Sequence, residues 1–503
     1  MPQAHLTLDP HFTVGAVNRR VFGSFVEHLG RCVYDGIYEP GHPSADAEGF
    51  RADVIELVKE LGVTTVRYPG GNFVSGFRWE DSVGPKEDRP RRPDLAWHST
   101  ETNEVGLDEF ARWLEKTGAE MMYAVNLGTR GVLAAVDVFE YANLPGGTTL
   151  ADQRIANGHP EPYDIKMWCL GNEMDGPWQL GHSSAEDYGT KASQVAKAMR
   201  QLDPSVELVV CGSSNSRMPT FGAWEHAVLE LTYDDADFIS CHAYYEETGG
   251  DAASFLASAV DMDHFIESVV ATADAVKASL RSPKTVNISF DEWNVWYNTR
   301  YHEVDQITDI RQWPVAPRLL EDAYSVIDAV VVGNLLISLL KHADRVTSAS
   351  LAQLVNVIAP IMTEPGGDAW RQTTFFPFAL TARLAQGEAL EVKLETGTYE
   401  TAKYGEVPSV DAVATRDAST GAAAIFLVNR SLDSDTPVTI DLRALGDVAI
   451  TETHTVSDAD IYAKNTLDDQ NRVTPFGNDT ASIDGGTLTV TLPPVSWTAI
   501  ALN

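Results

Sequence analysis

Trp168-Cys169-Leu170-Gly171-Asn172-Glu173-Met174-Asp175 decides how the rest of the chain reads. With Asp164-Ile165-Lys166-Met167 before it, it starts as a short, mostly apolar strand, and Gly176-Pro177 stops that strand. Ser183 and Glu186 then stand three apart, the spacing of a helix N-cap box. Tyr188, Ala192, Val195, Ala196, Met199 and Leu202 follow at helical spacing. Glu173 therefore lies where a buried strand gives way to a loop, the place where a parallel barrel puts its chemistry. Taken alone, a turn acid with no role reads the same way, because many loops carry carboxylates.

A second stretch tips the balance. Thr285-Val286-Asn287-Ile288-Ser289-Phe290 is β-rich and runs directly into Asp291-Glu292-Trp293-Asn294-Val295-Trp296. Two strand-end glutamates, each beside amide and aromatic side chains, are the pattern of an acid and a nucleophile around a sugar ring.

Outward from these two stretches, strand-like and helix-like segments take turns. Strands are predicted at 21–27, 64–68, 121–126, before Glu173, at 207–211, 238–244 and 285–290, and at 346–354. Helical patterns fall between and after them, at 54–61, 107–114, 131–141, 188–202, 224–231, 252–280, 323–341 and 373–385. Eight strand–helix units in series predict an α/β fold of the (β/α)8 TIM-barrel type. A doubly wound sheet is the alternative, but no GxGxxG or Walker loop follows a strand. Three connections, 76–106, 143–163 and 295–322, are long enough to be walls, lids or subunit contacts.

Beyond residue 387 the pattern changes to short β runs, with Val438, Ile440 and Leu442, and Leu488, Val490 and Leu492, alternating with polar residues. We expect an N-terminal strand within residues 1–18, a catalytic barrel over 19–387 and an all-β, jelly-roll-like sandwich over 388–503. The strand around Leu6 and Leu8 would pair with that sandwich.

Composition narrows the function. The 503 residues carry a net charge of −35, which argues against binding nucleic acid or an anionic membrane surface by charge. Hydrophobic residues make up 44%, enough for large cores. The first residues lack the basic start and apolar run of a secretory signal, and 326–340, the most apolar stretch, is interrupted by Asp328 and Asn334. Cys32, Cys169, Cys211 and Cys241 are scattered without CxxC spacing, as expected of buried free thiols in a reducing cytoplasm. His28, His242 and His302 lack metal-ligand spacing and HExxH is absent, so neither metal nor cofactor is expected.

The chemistry sets a geometric requirement. A retaining glycosidase needs two carboxyl groups about 5 Å apart, one ionised to attack and one protonated to release the leaving oxygen. The charge of Glu292 would keep Glu173 protonated. Other strand ends supply Glu27 and His28, Arg67 and Pro69-Gly70-Gly71-Asn72, His242-Ala243-Tyr244, and Gln353. Each alone could equally be a hydrogen-bonded rim residue; together they could ring a sugar with donors and acceptors.

Phe25-Val26-Glu27-His28-Leu29-Gly30-Arg31, Arg67-Tyr68-Pro69-Gly70-Gly71-Asn72, Gly171-Asn172-Glu173-Met174-Asp175-Gly176-Pro177-Trp178 and Asp291-Glu292-Trp293-Asn294-Val295-Trp296 resemble the motifs of glycoside hydrolase family 51 α-L-arabinofuranosidases. The resemblance runs over nearly the whole chain. It implies Glu173 as acid/base and Glu292 as nucleophile of a retaining, exo-acting, metal-free enzyme. It also implies Asn172 at the sugar 2-hydroxyl and Glu27, Arg67, Asn72 and Gln353 around the furanose. Tyr244 would stand against the nucleophile, with Trp296 and Trp97 near the leaving group. A cytoplasmic homo-oligomer, often a hexamer, acting on arabinofuranosyl oligosaccharides from arabinan or arabinoxylan completes the expectation. A related barrel β-xylosidase or endoglucanase would use the same two glutamates, and a binding protein that has lost turnover stays open on the fold alone.

Overall fold

The computed structural model describes residues 3–503. Eight parallel strands close into a barrel: Gly23–Phe25, Thr65–Tyr68, Glu120–Val125, Met167–Leu170, Glu207–Val210, Phe238–Tyr245, Asn287–Val295 and Val346–Ala352. Each strand expected from the sequence is present, so the barrel and not the doubly wound sheet is the fold.

Several boundaries move for local reasons. The first strand is shorter than expected because residues Arg19–Phe22 form a 3-10 turn, started by the Asn18 side chain accepting from the Arg20 amide at 3.0 Å. The helix after Glu173 starts one residue later than the Ser183–Glu186 spacing implied. Ser184 is its cap, extended at φ −66°, with its hydroxyl accepting from the Asp187 amide at 3.1 Å. The helical region 252–280 is two helices, Ala252–Leu256 and Ala259–Leu280, and the 143–163 connection contains the helix Thr149–Ala156. All four cysteines are buried and free. No helix among the described residues is long and apolar enough to cross a membrane.

The β-rich part is one continuous sheet of nine strands, and the strand Ala4–Ala16 lies in its interior. It pairs antiparallel with Glu388–Glu395 on one side and parallel with Thr436–Asp441 on the other. Leu6, Leu390, Ile425, Leu427, Val438, Ile440, Leu488, Val490 and Ile500 meet in a single cluster, so the sheet curls over its own core. Gly485 and Gly486, both at positive φ, make the two-residue turn between Ser482–Asp484 and Thr487–Leu492.

Strands Val410–Arg416, Ala423–Asn429 and Ser496–Leu502 are buried on both faces. The two-residue period sends Ile425, Leu427 and Ile500 into the sheet's own core and Val413, Phe426, Trp497 and Ala499 into the barrel core. Their partner is the helix Val326–Lys341, buried along its whole length except at its last residue. A helix apolar on every side must be covered on every side. Asp328 and Asn334, which interrupt its apolar run, are both satisfied by hydrogen bonds. Asp328 accepts from the amide and hydroxyl of Ser325 at the helix start. Asn334 donates to Asp411 at 2.8 Å and accepts from Arg430 at 2.9 Å across the seam.

Gly333 is where the two bodies come closest: a Cβ there would lie 2.2 Å from Cδ1 of the fully buried Trp497. Alanine would add about 1 kcal/mol of helix propensity, but overpacking a rigid core costs about 1–3 kcal/mol, and the indole has no room to retreat. The 2.2 Å approach puts the cost at the upper end of that range, a net loss of about 2 kcal/mol, so Gly333→Ala is expected to lower the thermal unfolding midpoint by about 2 °C. A midpoint equal to or above wild type in a calorimetric scan would refute this packing argument.

Candidate active site

The seventh strand supplies the first half of the site. In a regular strand Asp291 and Glu292 would face opposite sides. The pairing with the sixth strand slips between Ser289 and Glu292, and that with the eighth slips between Phe290 and Trp293. This irregularity turns both acids toward the barrel mouth. Glu292 Oε1 accepts from Arg67 Nη1 at 2.7 Å and Oε2 from the Tyr244 hydroxyl at 2.8 Å. Asp291 Oδ1 takes Nε2 of His242 at 2.9 Å.

The fourth strand supplies the second half. It ends at Leu170, Gly171 turns the backbone at φ 98°, and Glu173 itself is left-handed at φ 46°. That conformation costs a non-glycine residue about 1–2 kcal/mol. Its carboxylate is tied at both oxygens: Oε1 to His242 Nδ1 at 3.0 Å and Oε2 to Trp178 Nε1 at 2.6 Å. Carboxylate oxygens of Glu173 and Glu292 come within 4.8 Å of each other. Two like charges at that distance repel by about 3–4 kcal/mol in a protein-like dielectric. Burial, and then the Glu292 charge, push the Glu173 carboxyl above the ordinary glutamate range against the pull of His242 and Trp178. His242 moves the other way. Burial opposes its charge, but Glu292, Asp291 and Glu173 outweigh burial and push the imidazole up to about 10.

Around this pair lies a cavity of about 800 Å³. Glu27, Asn72, Trp97, Tyr244, Trp296 and Gln353 line it together with Glu173 and Glu292. Arg67 and Asn172 are buried behind them, joined by Arg67 Nη2 donating to Asn172 Oδ1 at 2.6 Å, and Asn172 donates to Asn72 at 3.3 Å. Glu27 is held by the Phe73 amide at 2.8 Å, Trp97 Nε1 at 3.0 Å and Gln353 Nε2 at 3.2 Å, and burial lifts its carboxyl to about 8. The fold thus brings all ten candidate residues to one place. Of the three long connections, 76–106 contributes Trp97, whose amide donates to Asp94, and 295–322 contributes Trp296 and Tyr301. The 143–163 connection contributes nothing here.

Asp291 and Trp178 are site residues that the sequence reading left without a role, and it offered His242 only as one of several strand-end polar groups, not as the partner of both acids. His242 could have been picked out, since it lies two residues before Tyr244 on the same face of one strand. Asp291 could not, because its inward turn depends on the strand irregularity, and the reach of Trp178 back to Glu173 depends on the shape of a loop. Glu173, His242 and Glu292 present donor atoms within 4.8 Å of one another, close enough for a shared cation. However, both ring nitrogens of His242 are engaged by acids, and its protonated ring has no lone pair for a metal.

The Gly70-Gly71 pair has a steric explanation. A Cβ on Gly71 would stand 3.1 Å from Glu292 Oε1 and 3.2 Å from Glu27 Oε2, and one on Gly70 would stand 2.9 Å from Glu27 Cγ. The backbone passes between two carboxylates that hydrogen bonds hold in place.

A parallel barrel with two carboxyl groups this close at the C-terminal ends of its fourth and seventh strands belongs to the glycoside hydrolases. Residues 57–265 match the family model described as α-L-arabinofuranosidase 1 domain, and residues 291–496 match that of the α-L-arabinofuranosidase C-terminal domain. An exo-α-(1→6)-L-arabinofuranosidase of Bifidobacterium longum is 62% identical over 99% of this chain and 97% of its own. An intracellular exo-α-(1→5)-L-arabinofuranosidase of Streptomyces lividans is 60% identical over 99% of this chain and 75% of its own. The solved structure of a family 51 α-L-arabinofuranosidase from Bifidobacterium longum superposes with a TM-score of 0.97 at 50% identity, covering all of both chains. The chain belongs to the α-L-arabinofuranosidases of glycoside hydrolase family 51.

Gly71→Ala is expected to reduce kcat/KM on an aryl α-L-arabinofuranoside about tenfold or more, because displacing a reacting group by a fraction of an ångström is costly. Its thermal midpoint should stay near wild type. Wild-type activity in the variant would show that the carboxylates give way freely.

Proposed function

We propose that the enzyme releases terminal α-L-arabinofuranose from arabinan- or arabinoxylan-derived oligosaccharides by double displacement. The observation that carries this reading is the approach of Glu173 and Glu292 oxygens to within 4.8 Å, nearer the spacing of a retaining pair than that of an inverting one. Glu292, facing the Arg67 guanidinium, attacks the anomeric carbon while Glu173 gives its proton to the leaving oxygen. Glu173, then a base, takes a proton from the water that frees the sugar. Asn172, Arg67, Asn72, Glu27 and Gln353 bind the furanose hydroxyls, and Tyr244 orients Glu292. Trp97 and Trp296 flank the leaving group.

The relatives' names support exo action and, for several, an intracellular location. Two relatives at 62% and 60% identity are named for different linkages, so identity of this order does not fix the linkage. The hexamer implied by the resemblance should give a light-scattering mass six times the 54.9 kDa chain.

The direct test is the initial rate on an aryl α-L-arabinofuranoside beside the aryl β-D-xylopyranoside. A strong preference for the furanoside is expected, and xylosidase activity alone would overturn the substrate. Glu292→Ala should lose about 10⁴-fold or more in kcat. Glu173→Ala should lose most on poor leaving groups and regain turnover with azide, giving a product of retained configuration. An inverted azide product would refute the assignment of roles.

Since Glu173 must carry a proton, activity holds at pH below its raised pKa and falls as pH climbs through it. Trp178 Nε1 stabilises the ionised carboxylate, so Trp178→Phe should raise that pKa further and move the basic limb of kcat/KM up by about half to one pH unit. A limb that stays or moves down would show that Trp178 does not tune the acid.

A further inference from the structure

Every residue lining the active cavity belongs to the barrel or its loops except one, Lys403. It sits at the turn of a hairpin, Thr398–Thr401 paired with Gly405–Pro408, that leaves the C-terminal sheet and lies against the barrel. The hairpin is fastened there. The Tyr399 hydroxyl donates to the Ala253 carbonyl at 3.1 Å, and the Lys403 amide donates to the Ser254 hydroxyl at 3.2 Å. The ammonium lies 5.0 Å from the Tyr404 ring centroid. The ammonium itself takes part in neither a side-chain hydrogen bond nor an ion pair among the described residues, and the same is true of the Arg217 guanidinium, which lines the same part of the cavity.

The charges that bear most on Lys403 are those of Arg217, Asp261, Glu246 and Asp251, none of them in the catalytic cluster. Three of the four have other engagements. Asp261 accepts from Tyr245 at 3.1 Å and from Ser216 at 3.1 Å, Glu246 from Thr299 at 2.8 Å, and Asp251 from the Ser254 amide at 3.0 Å. Lys403 therefore presents three free donors to the cavity, outside the set that surrounds Glu173 and Glu292. The furanose-facing groups lie on the barrel strands and the Trp97 loop. The remaining length of the cavity is where the rest of the substrate must lie.

We infer that Lys403 is a specificity residue for the leaving-group sugar: its ammonium donates to hydroxyl or ring oxygens of the sugar next to the scissile bond, so that the C-terminal domain completes the acceptor side of the site. This rests on the glycosidase reading above, and the test separates the two. For wild type, Lys403→Met and Lys403→Arg, kcat/KM is measured on two substrates. One is an aryl α-L-arabinofuranoside; the other is whichever of the α-1,5- and α-1,6-linked arabinofuranosyl disaccharides wild type hydrolyses faster. Methionine keeps the apolar stem and removes the donors. The ratio of disaccharide to aryl kcat/KM should fall about tenfold in Lys403→Met, through KM, because one charge-assisted hydrogen bond is lost. Lys403→Arg should recover part of it. A Lys403→Met ratio equal to wild type, or an equal loss on both substrates, would overturn the inference. If wild type hydrolyses neither the aryl furanoside nor either disaccharide, the function proposed above fails instead; hydrolysis of the aryl furanoside alone would overturn the inference.

Discussion

The site depends on how four buried acids share two buried cations. Arg67 and His242 carry positive charge in a region almost closed to water, and Asp291 and Glu292 oppose them. Two against two is neutral, and a neutral cluster avoids the several kcal/mol per ion that an unmatched buried charge costs. Glu173 and Glu27 stand beside it as further acids, and ionising either would leave a net negative charge with no cation to meet it. Both are accordingly pushed upward, first by burial and then by Glu292. Of two chemically identical side chains, Glu292 accepts from Arg67 whereas Glu173 accepts from Trp178 and His242. His242 touches both halves, so the state of one carboxylate is felt by the other through a hydrogen bond as well as through space.

The backbone pays for this arrangement in several places. Glu173 occupies a left-handed conformation, the seventh strand is irregular so that neighbouring residues both face inward, and the chain after the second strand passes so close to Glu27 and Glu292 that a Cβ on Gly71 would displace their carboxylates. These positions are rigid because the body around them is rigid. The helix between the seventh and eighth strands, Val326–Lys341, is clamped between barrel and sheet, with Gly333 against Trp497 and Asn334 bonded to Asp411 and Arg430. A site held to fractions of an ångström needs such a frame.

The eight barrel strands were legible because each is a short β-rich run that ends in polar residues, and because helical periodicity separates them. The two glutamates were legible as strand-end acids. Boundaries were less so: adjacent serines at 183 and 184 both offer a cap, and only backbone geometry selects the second. Asp328 and Asn334 read as interruptions of an apolar run, when one is a cap and the other ties the two domains. His242 was within reach of strand alternation. Asp291 was not, because a strand irregularity leaves no mark in composition. Trp178 and Lys403 were not either, since a loop fold in one case and 110 residues of intervening chain beyond Glu292 in the other decide what they meet.

The strand Ala4–Ala16 is interior to the sheet, between Glu388–Glu395 and Thr436–Asp441. During synthesis it emerges before every other strand of its sheet, and its second partner follows more than four hundred residues later. At about 5–20 residues per second, that is a wait on the order of tens of seconds with two bare hydrogen-bonding edges. The barrel can assemble as it emerges, but the sheet cannot close until Thr436–Asp441 and the strands after it have followed. A nascent chain of this protein is therefore exposed to strand-to-strand capture by its neighbours on the same messenger, and its yield in a cell should depend on how well chaperones shield the first sixteen residues.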